Sequence, residues 1–193
     1  MKRLMEIIMT YITLNEYDIE LLKKTIDRRV YNKNEFLFNE GIVANESYFV
    51  ERGCVRLFYN VEGNDKTAFF YTEDQFICAG ESYTYNIPAA ENYQAVEQTE
   101  ILIFTKEKTE KLLIEAPKFE IIARIAVENE LIMCQKLIAS FVTKSAEERY
   151  INLLNTQGEL FQRVPQQYIA SFLGISPETL SRIKTRVLNK IRY

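Results

Sequence analysis

Hydrophobic and polar positions in this chain follow two periods. From residue 1 to about 29 Met5, Ile8, Tyr11 and Ile12 recur every three or four positions, and after Asn15 so do Ile19, Leu22 and Ile26, which predicts helix throughout. From Val30 to Phe104 the pattern changes to short runs of Phe, Tyr, Val and Ile, broken by Gly41, Gly53, the EGND turn at 62–65, Gly80 and Pro88. Strands are predicted near 35–38, 47–51, 54–60, 66–72, 95–98 and 100–105. Together they make an antiparallel roll, whose interior is a natural place for a ligand.

Helical spacing returns at 106–115 and stops near Pro117. A run without Gly or Pro then extends from 118 to about 143. Ile122, Ile125, Ile132 and Ala139 share one stripe of it, Asn129 lies among them, and Ile121, Val127, Leu131, Met133, Leu137 and Ile138 widen the apolar face. One small roll cannot cover so broad a stripe, so the segment is read as the seam of a homodimer, with Asn129 a register-setting polar residue. Residues 142–144 form a hinge. Ser145 with Glu148 makes a capping box for a fresh helix. Residues 160–164 are predicted to be extended, as a wing strand.

The chemistry concentrates in VPQQYIASFLGISPETLSRIKTRVLNK, residues 164–190. Ile169, Phe172 and Leu173 are spaced for a short helix, which Gly174 can end in the left-handed conformation. Ser176 is a good N-cap and Pro177 a good first helical residue, because that position has no intrahelical N–H bond to lose. Leu180, Ile183 and Val187 then form an inner stripe, and Glu178, Thr179, Ser181, Arg182, Thr185 and Arg186 face outward. Such an outer face fits the major groove. Arg182 can pair bidentately with guanine, Glu178 can accept from N4 of cytosine, and Ser181 lies beside them. Gln166, Gln167, Ser171, Thr179 and Lys184 are candidates for phosphate contacts.

Charge agrees with this reading. Residues 163–193 carry six basic groups against Glu178 alone, a balance of +5, which leaves −8 on the remainder of a chain whose net charge is −3. A basic tail on an acidic body suits a protein that meets phosphates only at its C-terminal end.

The 193 residues, 47% of them hydrophobic, suffice for a folded core. Apolar runs are broken by charges before they could span a bilayer, and the N-terminus lacks a secretory cleavage pattern, so a cytoplasmic location is expected. Cys54, Cys78 and Cys134 stand far apart, against a disulfide framework or a zinc site. The chain has no histidine, which removes the commonest general base and metal ligand and disfavours a cupin-like enzyme. Neither a GxxxxGK[ST] loop nor a GxGxxG loop occurs. No enzymatic activity, metal or cofactor is expected.

A roll, a long helix and a C-terminal helix-turn-helix in this order resemble the CRP/FNR family of bacterial regulators over nearly the whole chain. The most specific motif is IASFLGISPETLSRIK at 169–184, and SAEERYINLL at 145–154 is similar to the branch common in Bacteroidetes. The resemblance implies an α+β fold with a cyclic-nucleotide-binding-like antiparallel β-roll, a dimerisation helix and a winged helix-turn-helix. It also implies that the E-x-x-S-R pattern, here Glu178, Ser181 and Arg182, reads an inverted repeat. Pro177 stands where the cyclic-AMP receptor branch has arginine, so the FNR-like readers are nearer.

In cyclic-nucleotide binders a Gly-Glu pair is followed by an Arg-Ser pair that grips the phosphate. Here Gly80-Glu81 is present, but Glu91-Asn92 occupies the place of the cation, so cyclic AMP is not expected to bind. Gly80, Glu81, Ser82, Tyr83, Glu91 and Asn92 remain the candidate effector pocket, with Phe69, Phe70, Tyr71, Tyr85 and Tyr93 as apolar lining or plain core. Cys78 beside Gly80-Glu81 is a candidate redox switch. The FNR iron–sulfur sensor needs cysteines near the N-terminus, and none precedes Cys54.

The resulting organisation is a β-roll over 1–117, a dimer helix and hinge over 118–144, and a winged helix-turn-helix over 145–193. The expected function is a homodimeric regulator on a palindromic double-stranded DNA site, with RNA polymerase and an unknown small-molecule effector as further candidate partners and no membrane association. The alternative is a ligand-binding or protein-interaction module whose DNA-binding half has degenerated.

Overall fold

The computed structural model describes residues 1–191. Helices α1 (Lys2–Tyr11) and α2 (Glu16–Thr25) come first. Asn15 caps α2: its side chain accepts the Asp18 N–H at 2.9 Å while the Asp18 carboxylate accepts the Asn15 N–H at 2.7 Å. Helix does not continue to residue 29. Strand β1 (Ile26–Tyr31) begins at once and pairs antiparallel with the strand of Thr99–Thr105, from Ile26 opposite Phe104 to Tyr31 opposite Thr99. Ile26 falls on the spacing set by Leu22, so periodicity alone carries the helix too far, and the distant sheet partner decides the outcome.

The remaining strands are β2 (Phe36–Phe38), β3 (Glu46–Arg52), β4 (Val55–Val61), β5 (Asn64–Tyr71), β6 (Phe76–Cys78), β7 (Asn92–Ala95) and β8 (Thr99–Thr105). They form two antiparallel four-stranded sheets, in the orders β1-β8-β3-β6 and β2-β7-β4-β5. Between them lie Tyr31, Tyr48, Val50, Val55, Leu57, Tyr71, Tyr93, Ile101 and Ile103, all buried. The EGND turn is a two-residue hairpin loop in which Glu62 and Gly63 have φ of 52° and 78°, the sign a tight hairpin needs. Gly53 joins β3 to β4 at φ 109°, and a Cβ there would stand 2.5 Å from Thr99 Oγ1. Strand β7 begins three residues before the strand expected at 95–98, and β6 and α3 (Gly80–Tyr85), which are short and carry little periodicity, are not among the expected elements.

Helix α4 (Lys106–Glu115) follows, then a 3-10 turn at Pro117–Phe119 and the long helix α5 (Glu120–Thr143). Lys118 pairs with the buried Asp18 and so ties α2 to the root of α5. The expected seam of α5 is corrected in part: Ile122 is 8% exposed and packs on the N-terminal helices and α4, so it does not belong to an open stripe. The apolar side chains left most open are Val127 at 69%, Leu131 at 56%, Ile138 at 63% and Val142 at 77% exposed; Ile132 of the expected stripe and Asn129 are exposed as well. Glu130, on another face, accepts the Tyr71 hydroxyl at 2.8 Å.

Beyond the break at Lys144 come α6 (Ala146–Gln157), α7 (Leu160–Arg163), α8 (Gln166–Phe172) and α9 (Pro177–Ile191). The Ser145 capping box forms as expected, the Ser145 N–H donating to Glu148 at 2.7 Å. The wing strand does not form: 160–163 is one turn of helix. Leu160 points into the core and Phe161 stacks edge-on against Tyr150 at 5.3 Å, a pairing of neighbours that extended backbone, with its side chains on opposite faces, could not make. Among the described residues after 144 there is no strand, and none of the described helices is long and apolar enough to cross a membrane.

Candidate nucleic-acid interface

The α8–α9 unit is built from local rules. Leu173 ends α8, and Gly174 takes φ 68°. The Gly174 N–H donates to Ser171 O at 2.9 Å and the Ile175 N–H to Ala170 O at 3.0 Å, the paired closure of a Schellman motif. Ser176 Oγ accepts the Thr179 N–H at 3.2 Å and starts α9 with Pro177. Ile169, Ala170, Leu173, Leu180, Ile183 and Val187 are buried as the inner stripes require.

Arg149, which no motif in the sequence singles out, fastens this turn. Its guanidinium donates to Leu173 O at 2.9 and 3.2 Å and to Lys144 O at 2.8 Å, and stacks 4.5 Å from the Phe141 ring. The end of α5, the start of α6 and the turn are thereby joined through one side chain.

Glu178, Ser181 and Arg182 are all exposed on α9, one turn apart or adjacent. The Ser176 side chain, with Arg182 behind it, holds the Glu178 carboxyl below the usual range, so it is ionised at neutral pH and ready to accept from a base amine. Gln166 and Gln167 are exposed at the start of α8, while Thr179 and Lys184 are half-buried. Ser171 is engaged elsewhere: its Oγ accepts the Thr67 N–H at 2.9 Å and donates to Asp65 O at 3.2 Å, both on β5. Of the six tail cations, Arg163 is paired with Glu73 and Glu97, and Arg186 with Glu147. Arg192 lies outside the described residues.

The candidate effector residues do not converge. Ser82 is buried and spent on the backbone, accepting the Ala44 N–H at 2.8 Å and donating to Ile87 O at 2.5 Å. Strand alternation sends Tyr93 and Ala95 into the roll, so Asn92 and Gln94 face its outside. There Asn92 pairs with Glu40, its Nδ2 donating at 3.0 Å. Gly80 and Glu81 are exposed at the start of α3, and Tyr83 is covered by Lys106, whose Nζ is 5.0 Å from the ring centroid. Glu91 is half-buried and accepts the Ala90 N–H at 3.1 Å.

Of the aromatic residues, Tyr71 and Tyr93 are core, Tyr85 is 71% exposed, and Phe70 points away from the roll interior to meet Phe172 of α8 at 5.3 Å. Although Cys78 is exposed to solvent, partial burial by its neighbours and then the field of Glu130 and Glu91 push its thiol up to about 11, so it remains protonated at neutral pH, which weighs against a redox switch. The same burial and Glu91 raise Tyr93 well above the phenol range. This end of the roll is acidic in character.

Residues 28–116 match the family model described as the cyclic nucleotide-binding domain. The chain is 23% identical over 188 residues to the transcriptional activator protein Anr of Pseudomonas protegens, and 25% identical over 190 residues to the transcriptional activator protein FnrA of Stutzerimonas stutzeri. Each alignment covers 91% of this chain and 76% of the relative. Among solved structures, the c-di-GMP responsive global regulator CLP of Xanthomonas campestris superposes with a TM-score of 0.74 at 16% identity, covering 91% of this chain and 93% of that one. Residues 28–116 are therefore similar to a cyclic nucleotide-binding domain, and over nearly its whole length the chain is similar to these transcriptional activators.

Proposed function

We propose that this protein is a sequence-specific DNA-binding transcription regulator that works as a homodimer on an inverted repeat. The observation that carries the proposal is the exposed set Glu178, Ser181 and Arg182 on α9, a helix fixed by a Schellman turn, a serine cap and the Arg149 fastening. An ionised acceptor, a hydroxyl and a bidentate donor on one rigid edge can read base edges in a major groove. The open stripe of Val127, Leu131, Ile138 and Val142 on α5 supports the dimer, because a second copy of the same helix would cover it. In such a dimer the recognition helices enter successive major grooves about 34 Å apart.

The roll serves as sensor or scaffold and is not a cyclic AMP receptor. An anion needs a charge-assisted donor, and Glu81, Glu91 and Glu130 surround the phenols and the thiol at that end of the roll. Unbiased selection of random duplexes with the purified protein tests the main reading. Enrichment of a palindrome of roughly 14 to 22 bp is expected. Recovery of no repeat, with or without cell extract, would leave a module whose DNA-binding half has degenerated.

A further inference from the structure

Arg163, at the end of α7, is gripped by two carboxylates of the roll. Nη1 and Nη2 donate to the two oxygens of Glu73 at 3.0 and 2.9 Å, and Nε and Nη2 donate to Glu97 Oε1 at 2.8 and 2.6 Å. Glu73 follows β5 and Glu97 lies between β7 and β8, so the fork joins two loops of the roll to one helix of the C-terminal domain. The three side chains are 21 to 31% exposed, which shields the network more than a surface pair. Glu73 also accepts the Gly53 N–H at 2.8 Å.

Along the same seam Ser171 bonds β5 at Thr67 and Asp65, and the Tyr168 ring lies 3.6 Å from the Arg56 guanidinium, which Phe58 flanks at 3.9 Å. Cys54, Phe70 and Val96 of the roll share one core with Leu160, Val164 and Ile169. The base-reading residues of α9 remain exposed while α8 is docked in this way. Docking and DNA reading are therefore compatible.

We propose that Arg163 is a positioning residue for DNA reading: with Glu73 and Glu97 it locks the helix-turn-helix to the roll, so that the dimer presents its two recognition helices at one spacing. This rests on the DNA-binding reading above. Arg163 does not touch phosphate. Two carboxylates against one guanidinium leave a local balance of −1, which repels a phosphate instead of attracting it.

The test uses the full-length protein and the selected half-sites joined by spacers of different length. Wild type prefers one spacer. Arg163→Gln loses most of that preference, by roughly tenfold, while the slope of affinity against salt is unchanged. A slope lower by about 1, with spacer preference intact, would make Arg163 a phosphate contact and overturn the proposal. So would uniformly tighter binding at every spacer, since the fork would then be a brake.

A second measure needs no DNA. Cys54 is fully buried in the seam, so in a Cys78→Ser, Cys134→Ser background its alkylation rate reports undocking. Arg163→Gln should raise that rate by roughly tenfold with the same circular dichroism, and an unchanged rate overturns the proposal. If Arg163→Gln does not fold, Glu97→Gln is read by the same two measures, and no change in either is equally decisive. Should wild type select no palindrome, the DNA-binding reading fails, while the Cys54 rate still decides whether Arg163 holds the seam.

Discussion

Arg182 and Lys184 stand two positions apart on α9 and sit differently. Arg182 is exposed beside Glu178 and Ser181, whereas Lys184 is half-buried against the flank of the helix. Replacing Arg182 by Ala should cost about 1–3 kcal/mol and relax preference at one G·C pair. Lys184→Ala should weaken all sequences alike and lower the salt slope. Binding titrations on sites mutated one base pair at a time separate the two outcomes, and an Arg182→Ala variant that keeps full sequence preference would remove it from the reading set. The residues of this edge were legible in the sequence because their determinants are local: Gly174, Ser176 and Pro177 each act within one turn of where they stand. Arg163 was legible only as a positive charge, because its partners are 66 and 90 residues away.

At the scale of elements, α5 shows how the fold trims a stripe that the period assigns. Ile122 and Ile132 lie on the predicted stripe, yet Ile122 is closed by the N-terminal helices and Ile132 stays 45% exposed. A helix that is apolar on several sides has no single stripe, and the fold decides which residues its own body covers. The pair that tests dimerisation is therefore Leu131 and Ile138, both open and both on the stripe the chain leaves uncovered. Aspartate at both positions should yield a folded monomer, since two charges in an apolar seam have no partner. Sedimentation that finds the double variant still dimeric at micromolar concentration would place the interface elsewhere. The misassigned β1 and the absent wing share one cause: LFQR and IDRRVY are short, and their contacts with distant residues outweigh local spacing.

For the whole molecule, the distribution of charge decides which ligands and which conditions it tolerates. Cyclic AMP and cyclic GMP should bind no more tightly than about 10 μM, roughly 7 kcal/mol, because they must lose hydration beside carboxylates. Calorimetry on wild type and on Glu91→Arg checks this, and a tighter wild-type constant, or no gain from the arginine, counts against the account. Burial pushes Glu73 up, but hydrogen bonds from Arg163 and the Gly53 N–H outweigh it and hold the carboxyl below its usual range. A depressed carboxyl stabilises the fold above its unfolded value, about 4.3, and that contribution is lost as pH falls through the lower folded value. Docking should thus be intact at neutral pH and should loosen below about pH 4, seen as faster Cys54 alkylation after acid exposure measured against Cys78 and Cys134.

The core that spans the roll and the C-terminal helices bears on how the molecule melts. Phe70, Cys54 and Val96 of the roll share one core with the helices of 145–191, so the two parts are expected to unfold together. Heating the full chain should give one calorimetric transition in which calorimetric and van't Hoff enthalpies agree, not two. Arg163→Gln should split it. The helices cut out at residue 145 should melt earlier than the full chain, because the side of their core that the roll covers would then be open to solvent.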